Sequence, residues 1–205
     1  ALKKINFEII NNESLGILAP NGCGKTTLIK LLAGLIKPDR GLVKIKGRVL
    51  FSSALGAGFA GTLNGLDNIF INATLLGLSR EQIKNSLDSI IEFSGLGDLI
   101  NTPLENYSQG MKFRLAVSIG IHKKPDILVF DELHITGDQE FKNKCFKWIE
   151  EHKQNMAMIV ISHDMKLIKK LCNNIMVMKD GAVVHLGDDL DKGARYFEKV
   201  LESET

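Results

Sequence analysis

Residues 19–27 read Ala-Pro-Asn-Gly-Cys-Gly-Lys-Thr-Thr, directly after a short apolar stretch, Ser-Leu-Gly-Ile-Leu at 14–18. Those residue types at that spacing make a phosphate-binding loop between a strand and a helix. Small residues let successive backbone N–H groups close around phosphate oxygens, with Asn21, Gly22, Cys23, Gly24 and Thr27 forming the cradle. Lys25 can reach the β- and γ-phosphates, and the Thr26 hydroxyl can bind Mg²⁺. A helix beginning near Gly24 adds the positive end of its dipole. Within the pattern G-x-x-x-x-G-K-[ST], Ala19 stands where the first glycine is expected. Alanine takes a positive φ only at a cost, so the pattern survives if that position needs none. The plain alternative is an ordinary strand–turn–helix.

A second group of residues could do chemistry beside phosphate. The run Ile-Leu-Val-Phe at 127–130 ends in Asp131 and Glu132. A strand ending in a carboxylate can hold the Mg²⁺ of a phosphate-loop ATPase, which fits Asp131. Glu132 points elsewhere and is free to act as general base on an attacking water. His163 follows another apolar run, 159–161, and would approach the γ-phosphate if its strand lies beside that of Asp131. A lone histidine is more often structural. Ser108, in Tyr-Ser-Gln-Gly-Met at 107–111, precedes a helix. It reads as an N-cap, and with Gly110 and the free N–H groups of the helix end it also makes an anion site. Asp138, after Thr136 and Gly137, reads equally well as a helix cap.

These residues need elements to hold them. Alternation over 5–9 predicts a strand, and 14–19 a strand leading into the loop. A helix is expected over 25–35, then a turn at 38–41 and short strands near 42–46 and 48–52. Helices follow over 67–76 and 79–93, with Ser79 and Gln82 offering a cap. The stretch 64–104 reads as a helical insertion closed by Pro103. Beyond it come helix 109–122, strand 126–130, helix 138–152, strand 156–161, helix 164–172, strands 174–178 and 182–186, and helix 188–201. Strands alternating with helices argue for an α/β fold around a largely parallel sheet.

Composition sets outer limits. The 205 residues suggest one domain, with 44% hydrophobic and 24% charged residues. A net charge of +2 gives no basis for a nucleic-acid partner. Three scattered cysteines, Cys23, Cys145 and Cys172, argue against a disulfide framework and for a reducing compartment. The apolar run 156–161 is far shorter than the ~20 residues of a membrane helix, so a chain soluble by itself is expected. The first residue is Ala rather than Met, so a preceding piece is expected.

In order and spacing, these elements resemble the nucleotide-binding domain of ABC transporters along the whole chain. Residues 19–27 match its Walker A loop, 107–111 its signature segment, 127–132 its Walker B, 135–138 its D-loop and His163 its switch histidine. The resemblance implies a P-loop NTPase core, a mostly parallel sheet with flanking helices and an antiparallel β subdomain, in a single ABC ATPase domain over 1–205. It implies ATP and Mg²⁺ as cofactors and catalysis by Glu132 and His163. It also implies a second copy of the chain bound head to tail, with Ser108 and Gly110 reaching the γ-phosphate in trans, and a permease that holds the pair at the cytoplasmic face of the cell (inner) membrane. The glycine-rich stretch 56–68, the signature with Met111, and residues 136–145 are similar to ATPases that export O-antigen, capsule and teichoic acid polysaccharides. Export of another cargo, such as a lipid or a drug, and a soluble ABC ATPase outside transport are the rival readings.

Two departures stand out. No Gln occurs between Gly41 and Asn68, where most of the family carries a γ-phosphate sensor, and Gln109 replaces the first glycine of the usual signature. Phe7 is the only aromatic residue ahead of the phosphate loop. Its alternating strand places it in the core rather than against an adenine ring.

Overall fold

Aliphatic runs too short for helices and flanked by turn residues become buried parallel strands, whereas runs with a 3.6-residue period become helices that cover them. The structure is a computed structural model that describes residues 2–131 and 138–203. In chain order the elements are β1 (Ser14–Leu18), α1 (Lys25–Leu32), β2 (Val49–Phe51), α2 (Gly65–Leu75), α3 (Arg80–Ser94), α4 (Gln109–His122) and β3 (Ile127–Asp131). They continue with α5 (Gln139–His152), β4 (Ala157–Ile161), α6 (Met165–Leu171), β5 (Asn174–Lys179), β6 (Ala182–Gly187) and α7 (Leu190–Glu202). The chain divides into two compact units.

The sheet unit takes the described residues within Ala1–Phe51, Asp126–Leu133 and His152–Thr205. Its strands form one sheet in the order β2-β3-β4-β1-β5-β6. Every pair is parallel except β5 with β6. That last pair is a two-residue hairpin through Asp180 and Gly181, both with positive φ, 49° and 78°, the twist that a tight hairpin requires. Strand alternation sorts the two faces of β1. Leu15 and Ile17 join Leu28 and Ile29 of α1, Ile159, Ile161 and Met176 in one buried cluster. Gly16, pointing the other way, lies against Ile168 of α6.

The helical unit takes the described residues within Ser52–Pro125 and His134–Glu151. Ile69, Ile83, Ile90, Leu115 and Ile119, from α2, α3 and α4, are its fully buried centre. The expected cap of α3 forms as a reciprocal box. The Gln82 N–H donates to Ser79 Oγ at 3.2 Å and the Ser79 N–H to Gln82 Oε1 at 2.8 Å. A capping box of this kind satisfies two otherwise orphaned donors.

Two expected strands are not formed among the described residues. Residues 5–9 and 42–46 run as irregular chain. Alternation supplies an apolar edge, but a strand also needs a hydrogen-bonding neighbour. Ile5, Phe7 and Ile9 lean on the sheet core without joining the sheet, so Phe7 is a packing residue. Leu42 remains 83% exposed. Helix α1 also stops early, at Leu32, where Gly34 turns the chain with φ 69°.

Candidate functional site

The loop after β1 is shaped by two left-handed glycines, Gly22 with φ 78° and Gly24 with φ 106°. Residues other than Gly reach that region only at a steric cost, so these two turns call for glycine. Ala19 is buried and has no positive φ. The missing first glycine therefore costs the loop nothing. The Cys23 side chain is buried, and its N–H donates to Pro20 O at 3.3 Å. Its role is that of a small packing residue. Helix α1 starts its ladder with Leu28 N–H donating to Gly24 O at 2.9 Å. The N–H groups of the first turn, with the exposed Thr26, stand ahead of that ladder at the positive helix end.

Lys25 folds over the loop it belongs to. Its Nζ donates to Ala19 O at 2.9 Å, Pro20 O at 3.3 Å and Asn21 Oδ1 at 3.2 Å. The ammonium thus sits across the mouth of the cradle, on a flexible stem. This arrangement fits a polyphosphate: a glycine-turned loop, a helix end and one cation lie side by side.

Parallel register brings two more predicted residues to the same edge of the sheet. β4 lies between β3 and β1, and Asp131 stands opposite Ile161 in the β3–β4 register. His163 follows two residues later and is exposed. Ser162 fixes the approach, because its N–H donates to Ile17 O on β1 at 3.2 Å and its Oγ accepts from Asp164 N–H at 3.0 Å. Asp164 in turn caps α6. The ends of β1, β3 and β4 therefore present the phosphate loop, Asp131 and His163 together, where open parallel sheets bind ligands. Glu132 lies outside the described residues, as do Ile135, Thr136 and Gly137.

Ser108 and Gly110 belong to the helical unit. Ser108 caps α4, with Oγ accepting from Met111 N–H at 3.2 Å. Ser108 and Gln109 are exposed, and a Cβ built on Gly110 would meet only Ser108 Oγ, at 3.8 Å. The helix end is open to an anion. Asp138 does serve as a cap: its Oδ1 accepts from Phe141 N–H at 2.9 Å. Its Oδ2 lies 3.4 Å from Arg114 Nη1. The Phe141 N–H first, and Arg114 as a smaller contribution, hold its carboxyl below the usual range.

Residues 2–134 match the ABC transporter family. The chain belongs to that family. Among relatives, it is 37% identical over 98% of its length to the teichoic acids export ATP-binding protein of Listeria innocua, spanning 60% of that protein. It is 38% identical over 91% of its length to an O-antigen export system ATP-binding protein of Klebsiella pneumoniae, spanning 76% of it. The solved structure of an ATP binding subunit of an ABC transporter superposes with a TM-score of 0.83 at 19% identity, over 95% of this chain and 86% of that one. The last likeness establishes the ABC fold. No described helix is long and apolar enough to cross a membrane.

Sequence reasoning missed Ser162, whose part depends on a neighbouring strand and leaves no local pattern. It also missed Asn68 and Asn72 of this ABC domain, both buried in α2. Two asparagines four residues apart, among Leu66, Ile69, Phe70, Ile71 and Ala73, were the available signal, since buried amides need partners.

Proposed function

We propose that this protein is the ATP-binding and ATP-hydrolysing subunit of an ABC exporter that carries a cell-surface polysaccharide or its lipid-linked precursor. The observation that carries this reading is the phosphate loop with its two left-handed glycines and Lys25 at its mouth, on the sheet edge shared by Asp131 and His163. Lys25 binds β- and γ-phosphate oxygens, and the first-turn amides of α1 complete the cradle. Thr26 and Asp131 would hold Mg²⁺, which would neutralise phosphate charge. Glu132 takes a proton from the attacking water, and His163 supports the γ-phosphate.

Two copies face each other head to tail, so that Ser108 and Gly110 of one copy close on nucleotide held by the other. The pair works at the cytoplasmic face of the cell membrane, attached through a permease. Residues 1–205 act as one ABC ATPase domain with the helical stretch 64–104 inserted in it. The cargo class is supported by relatives named for teichoic acid and O-antigen export.

Glu132→Gln tests the reading. The variant is expected to bind Mg·ATP, to dimerise on doing so, and to turn over about 10²–10⁴-fold more slowly, the usual cost of losing a general base. Near-normal hydrolysis would remove Glu132 from that role. Co-purification of ribosomes or DNA, instead of an integral membrane protein, from detergent-solubilised membranes would overturn the exporter assignment.

A further inference from the structure

The glycine-rich stretch before α2 is tied at both ends, and the knot is Asn68. Its side chain is fully buried. Oδ1 accepts from Ala60 N–H at 2.7 Å, while Nδ2 donates to Ala60 O at 3.0 Å, Leu63 O at 3.1 Å and Asn64 O at 2.8 Å. One amide thus organises residues 60–64 over the start of its own helix. One turn later, Asn72 Nδ2 donates to Ala57 O at 2.6 Å.

The same loop then holds the segment that leads to Ser108. Leu104 N–H donates to Leu63 O, already an acceptor from Asn68, and Glu105 N–H donates to Gly61 O, each at 2.9 Å. Asn64 and Pro103 form an isolated antiparallel bridge. Tyr107, the residue before Ser108, is buried, and its hydroxyl donates to Leu99 O at 2.6 Å. Gly65, first residue of α2, makes room for it, since a Cβ there would lie 2.5 Å from the Tyr107 hydroxyl oxygen. Ser108 itself is exposed. Its place is set from both sides, by α4, whose Met111 and Lys112 N–H groups donate to it, and by the segment that precedes it.

We infer that Asn68 is a positioning residue for Ser108, acting through loop 60–64 and residues 103–107 to hold the signature serine where it meets nucleotide on a second copy. The inference rests on the proposed role of Ser108 in trans. Asn68 touches no nucleotide. A satisfied buried polar network specifies one backbone arrangement, whereas an apolar residue in its place leaves the loop free to shift. A serine offering one hydrogen bond to phosphate tolerates little displacement.

A double-mutant cycle on the full-length protein tests this. Asn68→Ala is made in the native background and in Ser108→Ala. Tyr107→Phe, a milder cut at the far end of the same tie, is made in both, in case Asn68→Ala does not fold. Ser108→Ala is expected to lower kcat about 10–100-fold, the range for losing a hydrogen bond to a charged group. Asn68→Ala is expected to lower kcat at least several-fold in the native background and to have little effect once Ser108 is gone. Tyr107→Phe should follow the same pattern with a smaller loss. Affinity for a fluorescent non-hydrolysable ATP analogue should stay within about twofold throughout. Equal fold-losses in both backgrounds would overturn the role of Asn68 and leave that of Ser108 standing. Native turnover in Ser108→Ala would overturn the trans reading, and the inference with it.

Discussion

Asp131 stands opposite Ile161 across the β3–β4 register, so the chain reaches His163 just beyond the strand end that carries the carboxylate. His163 is exposed, and its neighbours Ser162 and Asp164 hold the backbone without it. Function and stability should therefore separate at this position. His163→Ala is expected to leave the thermal midpoint almost unchanged, since an exposed substitution costs within about 0.5 kcal/mol. The same variant should lower kcat for ATP about 10–100-fold, in line with a lost hydrogen bond to a charged group. Steady-state kinetics beside a thermal melt measures both. A large fall in the melting point with unchanged kcat would assign His163 to structure.

Lys25 Nζ donates to Ala19 O, Pro20 O and Asn21 Oδ1. Those acceptors are carbonyl oxygens of its own loop, which water can also serve. Lys25→Ala is therefore expected to fold, with a melting point close to native. Nucleotide binding should weaken by about 10–100-fold, because a hydrogen bond from a cation to phosphate contributes about 1.5–3 kcal/mol. Titration with a fluorescent ATP analogue checks this. Lys25→Arg should not restore affinity, because a planar fork does not replace a compact ammonium in a tight loop.

The sheet unit carries an acid-sensitive clamp away from the site. Arg48 donates to Asp126 from its backbone N–H at 2.7 Å, from Nε at 3.0 Å and from Nη2 at 3.1 Å. The side-chain bonds to Arg48 are the main cause that holds the Asp126 carboxyl down to about 2. A folded value below the unfolded one means that the unfolded chain binds the proton first as pH falls. The contribution is present above roughly pH 4, the ordinary aspartate range, and is lost as pH falls from there toward 2. Both side chains reach solvent, so screening keeps the contribution of the pair small. Denaturant melts of Asp126→Asn against the native protein should differ at pH 6 and converge near pH 2. A constant difference would show that the charge is not involved.

Local pattern sufficed for much of this fold. The strand–loop–helix around Lys25, the strand ending at Asp131 and the Ser79–Gln82 cap were legible because period and residue type act within a few neighbours. Two expected strands failed for a nonlocal reason: Ile5, Phe7 and Ile9 alternate correctly but pack on the core without entering the sheet. The part of Asn68 was hidden for a related reason. Its partners are backbone groups of a loop whose path is irregular, and composition carries no trace of such bonds. The site on the sheet edge was legible in types, whereas its assembly required the strand order β3-β4-β1.

Gly16 shows how closely that sheet is covered. A Cβ built on it would lie 2.4 Å from Ile168 Cγ2 and 2.9 Å from Ile168 Cδ1. Ile168 is fully buried in α6, so its branched side chain has no free space to retreat into. Gly16→Ala is expected to destabilise the protein by about 1–3 kcal/mol, the usual cost of overpacking. For a chain of this size that lowers the melting point by about 2–4 °C per kcal/mol. Ile168→Ala removes both Cγ2 and Cδ1, the atoms in the way, and should cost about 2–5 kcal/mol alone. Combined, the two changes relieve the clash, so the double variant should be more stable than the sum of the single losses predicts. Strict additivity in thermal melts would mean that β1 and α6 are less tightly apposed than this geometry requires.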